Sequence, residues 1–131
     1  GREMPGDRIN GMSVTAGGTY LYGYAGETSD LRAKKDISEV DDRYSVFFDS
    51  LKPRLFKYTD GDSGRTWTGF IAQEIKAALE IAGLTTQEFA GIVIPPEDQY
   101  NQNWSLRYDL FIALCVNEIQ KLKKIIKERI A

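Results

Sequence analysis

Residues 112–130 read IALCVNEIQKLKKIIKERI. Within them Ile112, Cys115, Ile119, Leu122 and Ile126 follow a 3-4-3-4 spacing, and Val116, Ile125 and Ile130 widen the stripe. That period defines a long amphipathic helix over about 106–130, with Lys121, Lys123, Lys124, Lys127 and Glu128 on its other face. The stripe has two destinations. It packs on its own domain, or it packs against like helices in a left-handed supercoil. The second is preferred, because the stripe runs on past the point where the core of so small a domain is full. Isoleucine at both Ile119 and Ile126 favours three or more strands over two. Cys115 lies on the stripe and is expected in the core. The lysines near the C-terminal end suit the helix dipole and need no nucleic-acid partner.

Working towards the N-terminus, the chain alternates short helices and strands. Ile92–Ile94 reads as a strand stopped by Pro95 and Pro96, and Asn101–Trp104 as loop or strand. Ala72–Ala82 reads as a helix with Ile75, Ala78, Leu79 and Ala82 inward, closed by Gly83. Arg54–Thr59 and Arg65–Ile71 read as two strands of a hairpin around Asp60-Gly61-Asp62-Ser63-Gly64. Gly61–Gly64 as a phosphate cradle is the weaker reading, since no lysine motif follows. Asp41–Leu51 places Tyr44, Phe47, Phe48 and Leu51 on one helical face, and Lys52-Pro53 ends it. The fold class expected is α+β, with small strands and helices and a long C-terminal helix.

Composition changes near residue 28. Gly1, Gly6, Gly11, Gly17, Gly18, Gly23 and Gly26 crowd the first 28 residues, a density that opposes helix and favours turns and short strands. Tyr20, Tyr22 and Tyr24 alternate onto one face of a half-buried strand. Such a ribbon cannot bury itself, so residues 1–28 read as the end of another, β-rich structure, and 29–131 as the compact domain.

The 131 residues fit one domain or one domain with a short appendage. There is no histidine and one cysteine, which removes Ser-His-Asp triads, Cys-His dyads, imidazole metal ligands, thiolate zinc sites and intrachain disulfides. Neither metal nor cofactor is expected. The net charge of −2 lacks the basic excess of a nucleic-acid binder. No apolar run approaches the ~18 residues of a membrane span, so no membrane partner is expected either. Six Phe, seven Tyr and two Trp within a 42% apolar composition suffice for a packed core.

With histidine absent, the remaining nucleophilic chemistry is a hydroxyl activated by lysine. Ser29 and Lys34 stand five residues apart where the glycine-rich ribbon meets the compact domain. Spacing alone leaves Ser29 a capping or surface serine and Lys34 a solvated charge.

The residues around them are more specific. Ser29-Asp30-x-Arg32-x-Lys34-x-x-Ile37 resembles the signature of the endosialidase-type intramolecular chaperones, self-cleaving serine–lysine peptidases of phage tail spikes and fibres and of some membrane-tethered transcription factors. Further blocks follow in the family's order. Leu51-Lys52-Pro53-Arg54-Leu55-Phe56-Lys57-Tyr58 is similar to its leucine-proline-aromatic strand, and Gly69-Phe70-Ile71-Ala72-Gln73-Glu74-Ile75 to its most distinctive run. Tyr108 through Ile126, with Asn117-Glu118-Ile119-Gln120-Lys121-Leu122, is similar to its closing helix. The chain departs from the family at Leu84–Tyr100, where a fuller proline-valine loop is common.

The resemblance implies an intertwined homotrimer with coiled-coil-like helix packing. It implies a C-terminal intramolecular chaperone that guides the folding of a tail-spike, fibre or neck-appendage segment of the same polypeptide in the host cytoplasm. The chaperone then releases itself by cutting Thr28–Ser29 once, with no turnover on external substrates, and the upstream part stays on the virion tail. Ser29 is the nucleophile in this scheme. Lys34 is the general base, which must be neutral to act and so must fall from the free value of ~10.4; burial and the charges of Arg32 and Lys35 would lower it. Asp30 either orients Ser29 or Lys34 or enters a turn. Arg32 is a charge partner at a subunit contact or assists the transition state. Gln73 and Glu74 either act in catalysis or fix the strand before their helix. Two alternatives stay open: a non-cleaving trimerisation cap, and the equivalent domain of a membrane-tethered transcription factor.

Overall fold

The computed structural model describes residues 12–15, 18–21, 26–61 and 64–130, arranged in two compact units, 1–39 and 40–131. In the first unit β1 (Met12–Thr15) and β2 (Gly18–Leu21) pair antiparallel, in a register running from Met12 opposite Leu21 to Thr15 opposite Gly18. Tyr20 falls in β2, whereas Tyr22 and Tyr24 lie outside the described residues. A single 3-10 turn, Leu31–Ala33, follows.

The second unit is built on three helices. Helix α1 (Asp42–Asp49) begins where Asp41 Oδ1 accepts the Arg43 backbone N–H at 3.0 Å, satisfying a donor that the first turn leaves open. It inserts Phe47, fully buried, and lays Tyr44, Phe48 and Leu51 against the same core. Helix α2 (Ala72–Ile81) buries Ala72, Ile75, Ala78 and Leu79, as the apolar spacing predicts. Its end is a Schellman motif: Gly83 takes φ +72°, its N–H reaches Glu80 O, and Leu84 N–H returns to Leu79 O at 2.9 Å. Leu79 and Leu84 are both buried, which completes the motif's apolar contact.

Two short antiparallel pairs frame the helices. β3 (Arg54–Phe56) pairs with β4 (Trp67–Gly69), shorter than the strands expected from Arg54–Thr59 and Arg65–Ile71. Gly61 and Gly64 between them are left-handed, while Asp62 and Ser63 lie outside the described residues. β5 (Ile92–Val93) pairs with β6 (Ser105–Leu106), so the strand partner falls just after the Asn101–Trp104 stretch. That pairing also delays the last helix. A 3-10 segment, Tyr108–Phe111, leads into α3 (Ile112–Ile130) in place of a helix from 106. The architecture is thus mixed helix and small sheets with a long C-terminal helix.

The core is aromatic at its centre. Phe111 lies 5.1 Å from Phe89 and 5.2 Å from Phe70 between ring centroids, and Phe47 sits 5.0 Å from Phe89. Burying a ring of this size is worth about 1.5–3 kcal/mol. Leu84, Phe89 and Ile92 come from the segment that departs from the family's loop, yet all three are core residues.

Helix α3 corrects the sequence reading at Cys115. Phe111 and Leu114 point into the domain, and Glu118 and Lys121 continue that side. The apolar stripe points away: Ile119, Leu122 and Ile126 are 55%, 58% and 55% exposed, and Cys115 is exposed with them. Cys115 is therefore not a core residue of the single chain. Lys121, assigned to a solvated face, instead reaches Asp42 Oδ1 at 3.4 Å and also donates to Ser45 Oγ. Among the described residues no helix is long and apolar enough to cross a membrane.

Candidate active site

The stretch Ser29–Lys34 folds as one closed turn. Asp30 is extended, and its backbone O accepts from Ala33 N at 2.9 Å; Lys34 N donates to Leu31 O at 3.2 Å. Lys34 then returns to an extended backbone, and its Nζ donates to Ser29 Oγ at 2.6 Å. The turn thereby brings the hydroxyl and the amine into contact across a five-residue separation. Thr28 adjoins Ser29, and residues 26–36 are all exposed in the single chain.

Asp30 and Arg32 are occupied with each other. Asp30 Oδ1 accepts Arg32 N at 2.8 Å and Arg32 Nε at 3.0 Å, and Oδ2 accepts Arg32 Nη2 at 3.0 Å. The Arg32 guanidinium holds the Asp30 carboxyl below the usual carboxylate range, and Asp30 raises Arg32 in return. Of the two readings of Asp30, the geometry is that of the turn-entry carboxylate. Arg32 is consequently a paired charge, so the crowding of free cations expected around Lys34 is reduced by one.

The other blocks are joined by side-chain bonds within the second unit. Arg54 on β3 grips Glu74 in the first turn of α2 through Nε at 3.0 Å and Nη2 at 2.8 Å. Arg54 thus ties the leucine-proline block to the Gly69–Ile75 block, and Glu74 secures β3, where the sequence reading had it fixing the Gly69–Phe70 strand. Tyr108 Oη accepts from Phe70 N at 3.1 Å and lies 3.3 Å from Phe70 O, to which it donates. Sequence reasoning missed the cluster that fastens α3 to α1: Ser45 Oγ donates to Glu118 Oε2 at 2.7 Å while accepting from Lys121. Its only signal was the i, i+3 pair Glu118 and Lys121, of which Lys121 had been put on the face opposite the apolar stripe.

The second unit is a small fold of helices and short sheets, and the first carries a serine and a lysine in contact. Residues 29–88 match a peptidase family described as chaperone of endosialidase. The match opens on Ser29 and takes in the Leu51–Tyr58 and Gly69–Ile75 blocks, whereas the closing helix lies beyond it. A solved structure described as a novel intramolecular chaperon superposes with a TM-score of 0.53 at 21% identity, covering 71% of this chain and 99% of that one. At that identity the likeness is one of fold. Over residues 29–88 the chain is thus similar to the endosialidase-type intramolecular chaperones.

Proposed function

We propose that this domain trimerises and guides the folding of a β-rich tail-spike, fibre or neck-appendage segment joined ahead of Ser29, during phage assembly in the host cytoplasm. It then cuts itself free at Thr28–Ser29. The observation that carries the reading is the 2.6 Å contact between Lys34 Nζ and Ser29 Oγ at the first residue of the family match.

The chemistry follows from those two side chains. Lys34 as a free amine takes the Ser29 hydroxyl proton, and Oγ attacks the Thr28 carbonyl carbon through a five-membered ring. The tetrahedral adduct collapses with the C–N bond breaking, and the Ser29 nitrogen leaves with the proton that Lys34 returns. Thr28 is then an ester on Ser29 Oγ. Water adds to that ester, Oγ departs protonated, and the products are a Thr28 carboxylate and a new Ser29 α-amine. Nucleophile and scissile carbonyl are neighbours in one chain, so proximity needs no substrate cleft. The base lies within the reach that proton transfer requires.

Assembly supplies what the single chain lacks. Exposed Ser29 and Lys34 gain a dry environment from neighbouring subunits, and the outward stripe of α3 supplies the contact that holds three copies together. Slow, non-local β pairing in a fibre gains from three chains held in register. Once the chaperone is lost, the fibre has no route back and is kinetically trapped. The test is to purify the wild type with Ser29→Ala and Lys34→Ala variants and follow cutting on denaturing gels. The wild type should split and both variants stay whole at unchanged native mass. A Lys34→Ala chain that splits at the wild-type rate would refute the dyad.

A further inference from the structure

We propose that Asp30 is the positioning residue of the self-cleavage: by capping the 3-10 turn that follows it, it sets the reach of Lys34 to Ser29. This rests on the reading of Ser29 and Lys34 as nucleophile and base.

The turn Leu31–Ala33 has little else to hold it. It is three residues long and buries none of them, so neither helix propagation nor packing stabilises it. What closes it is local. The Asp30 backbone O takes Ala33 N–H, and the Asp30 carboxylate takes Arg32 N–H at 2.8 Å, the donor that the start of a turn leaves unsatisfied. The same carboxylate then clamps the Arg32 side chain through both oxygens. Arg32 is thereby drawn back over Asp30, the residue next to Ser29.

The consequence falls on Lys34. Its backbone N–H closes the far end of the turn on Leu31 O, and its extended backbone sends the side chain back to the hydroxyl. If the turn opens, Ser29 and Lys34 are separated by a free five-residue chain with a flexible lysine at its end. A base has to lie within about 2.6–3.2 Å of the proton it removes, so the population of the closed turn multiplies the rate. The bonds of the Asp30 carboxylate run to Arg32, so its effect on the reacting atoms is indirect.

Two side-chain properties are separable here, the cap and the charge. Asparagine and serine can accept the Arg32 N–H as Asp30 does, but neither carries charge. Asp30→Ala should slow cleavage by about fivefold or more, the worth of a lost cap in turn population. Asp30→Asn and Asp30→Ser should recover most of the rate, and Arg32→Ala, which keeps the cap but loses the clamp, should be impaired less than Asp30→Ala. The melting temperature of the chain should not move in any of them. Asp30→Ala cutting at the wild-type rate would overturn the proposal, as would Asp30→Asn cutting as slowly as Asp30→Ala. A second measurement does not depend on cutting. In the uncleavable Ser29→Ala chain, amide exchange at Arg32 should accelerate with Asp30→Ala but not with Asp30→Asn. Equal exchange in the two would overturn the cap whatever the wild type does. A wild type that stays whole while exchange behaves as expected would place the failure in the dyad instead.

Discussion

Tyr108 Oη fills the space that a side chain on residue 69 would need: a Cβ on Gly69 would lie 2.5 Å from it. The phenol cannot swing aside cheaply. Its oxygen bonds both backbone polar atoms of Phe70, and its ring packs 6.1 Å from that of Phe70. Gly69→Ala should therefore destabilise the fold by about 1–3 kcal/mol, the usual cost of overpacking. Each kcal/mol should appear as a melting temperature lower by roughly 4–8 °C. In a Tyr108→Phe background the same change should cost less, because the clashing oxygen has gone; additive losses would show that the two positions are not coupled.

The two sides of α3 should respond differently to substitution. Leu114 is buried against the core, and Leu114→Ala should cost about 2–5 kcal/mol of stability in denaturant unfolding. Ile119 and Leu122 are more than half exposed in the single chain, so Ile119→Lys or Leu122→Lys should leave the helical circular dichroism intact. Light scattering should nevertheless report a smaller species, because each lysine enters the proposed seam without a partner. An unchanged mass would mean that the stripe does not hold the oligomer.

Acid should weaken the second unit through three carboxylates. Arg43 holds Asp41 low, Arg54 holds Glu74 low, and Glu88 is lowered first by the Thr85 backbone N–H and then by Arg43. A folded-state value below the unfolded one means stability that is complete above the unfolded value and is lost as pH falls through the folded one. The denaturation midpoint should hold above about pH 5 and drop below the ordinary Asp and Glu values of about 3.9 and 4.3. All three pairs are solvent-exposed, so the drop should be shallow and reduced by salt. Glu74→Gln should flatten part of it; a midpoint independent of pH down to 3 would rule these pairs out as contributors.

Much of this was readable from the residues, and the failures share a cause. Helices α1 and α2 were legible because their apolar positions repeat at helical spacing and Gly83 marks an end. The partner of β5 was not, since Ser105–Leu106 is too short to show alternation. Leu84 and Phe89 reach the core from a segment with no period at all. Helix α3 was legible as a helix, but its start near 106 and the burial of Cys115 were misread. Periodicity locates an apolar stripe but does not say whether its own domain or another chain covers it, and the inward side is completed by polar bonds from Glu118 and Lys121 to Ser45. At the candidate site, the sequence singled out Ser29 and Lys34 through the family resemblance of the residues around them, not through their five-residue spacing. It could not give the turn that closes the distance, because that turn depends on one carboxylate meeting one backbone N–H.

Cleavage chemistry makes its own demand on pH. The base works only as the free amine, so the rate should rise as the solution becomes more alkaline. A rate that falls with rising pH would point to an acid-catalysed or contaminating activity.

The most direct test of self-release is N-terminal sequencing, with intact mass, of the fragments from freshly purified wild type. The larger fragment should begin Ser29-Asp30-Leu31-Arg32, and the smaller should end in a free carboxylate at Thr28. A chain that remains whole, or a cut at any other bond, would contradict the account.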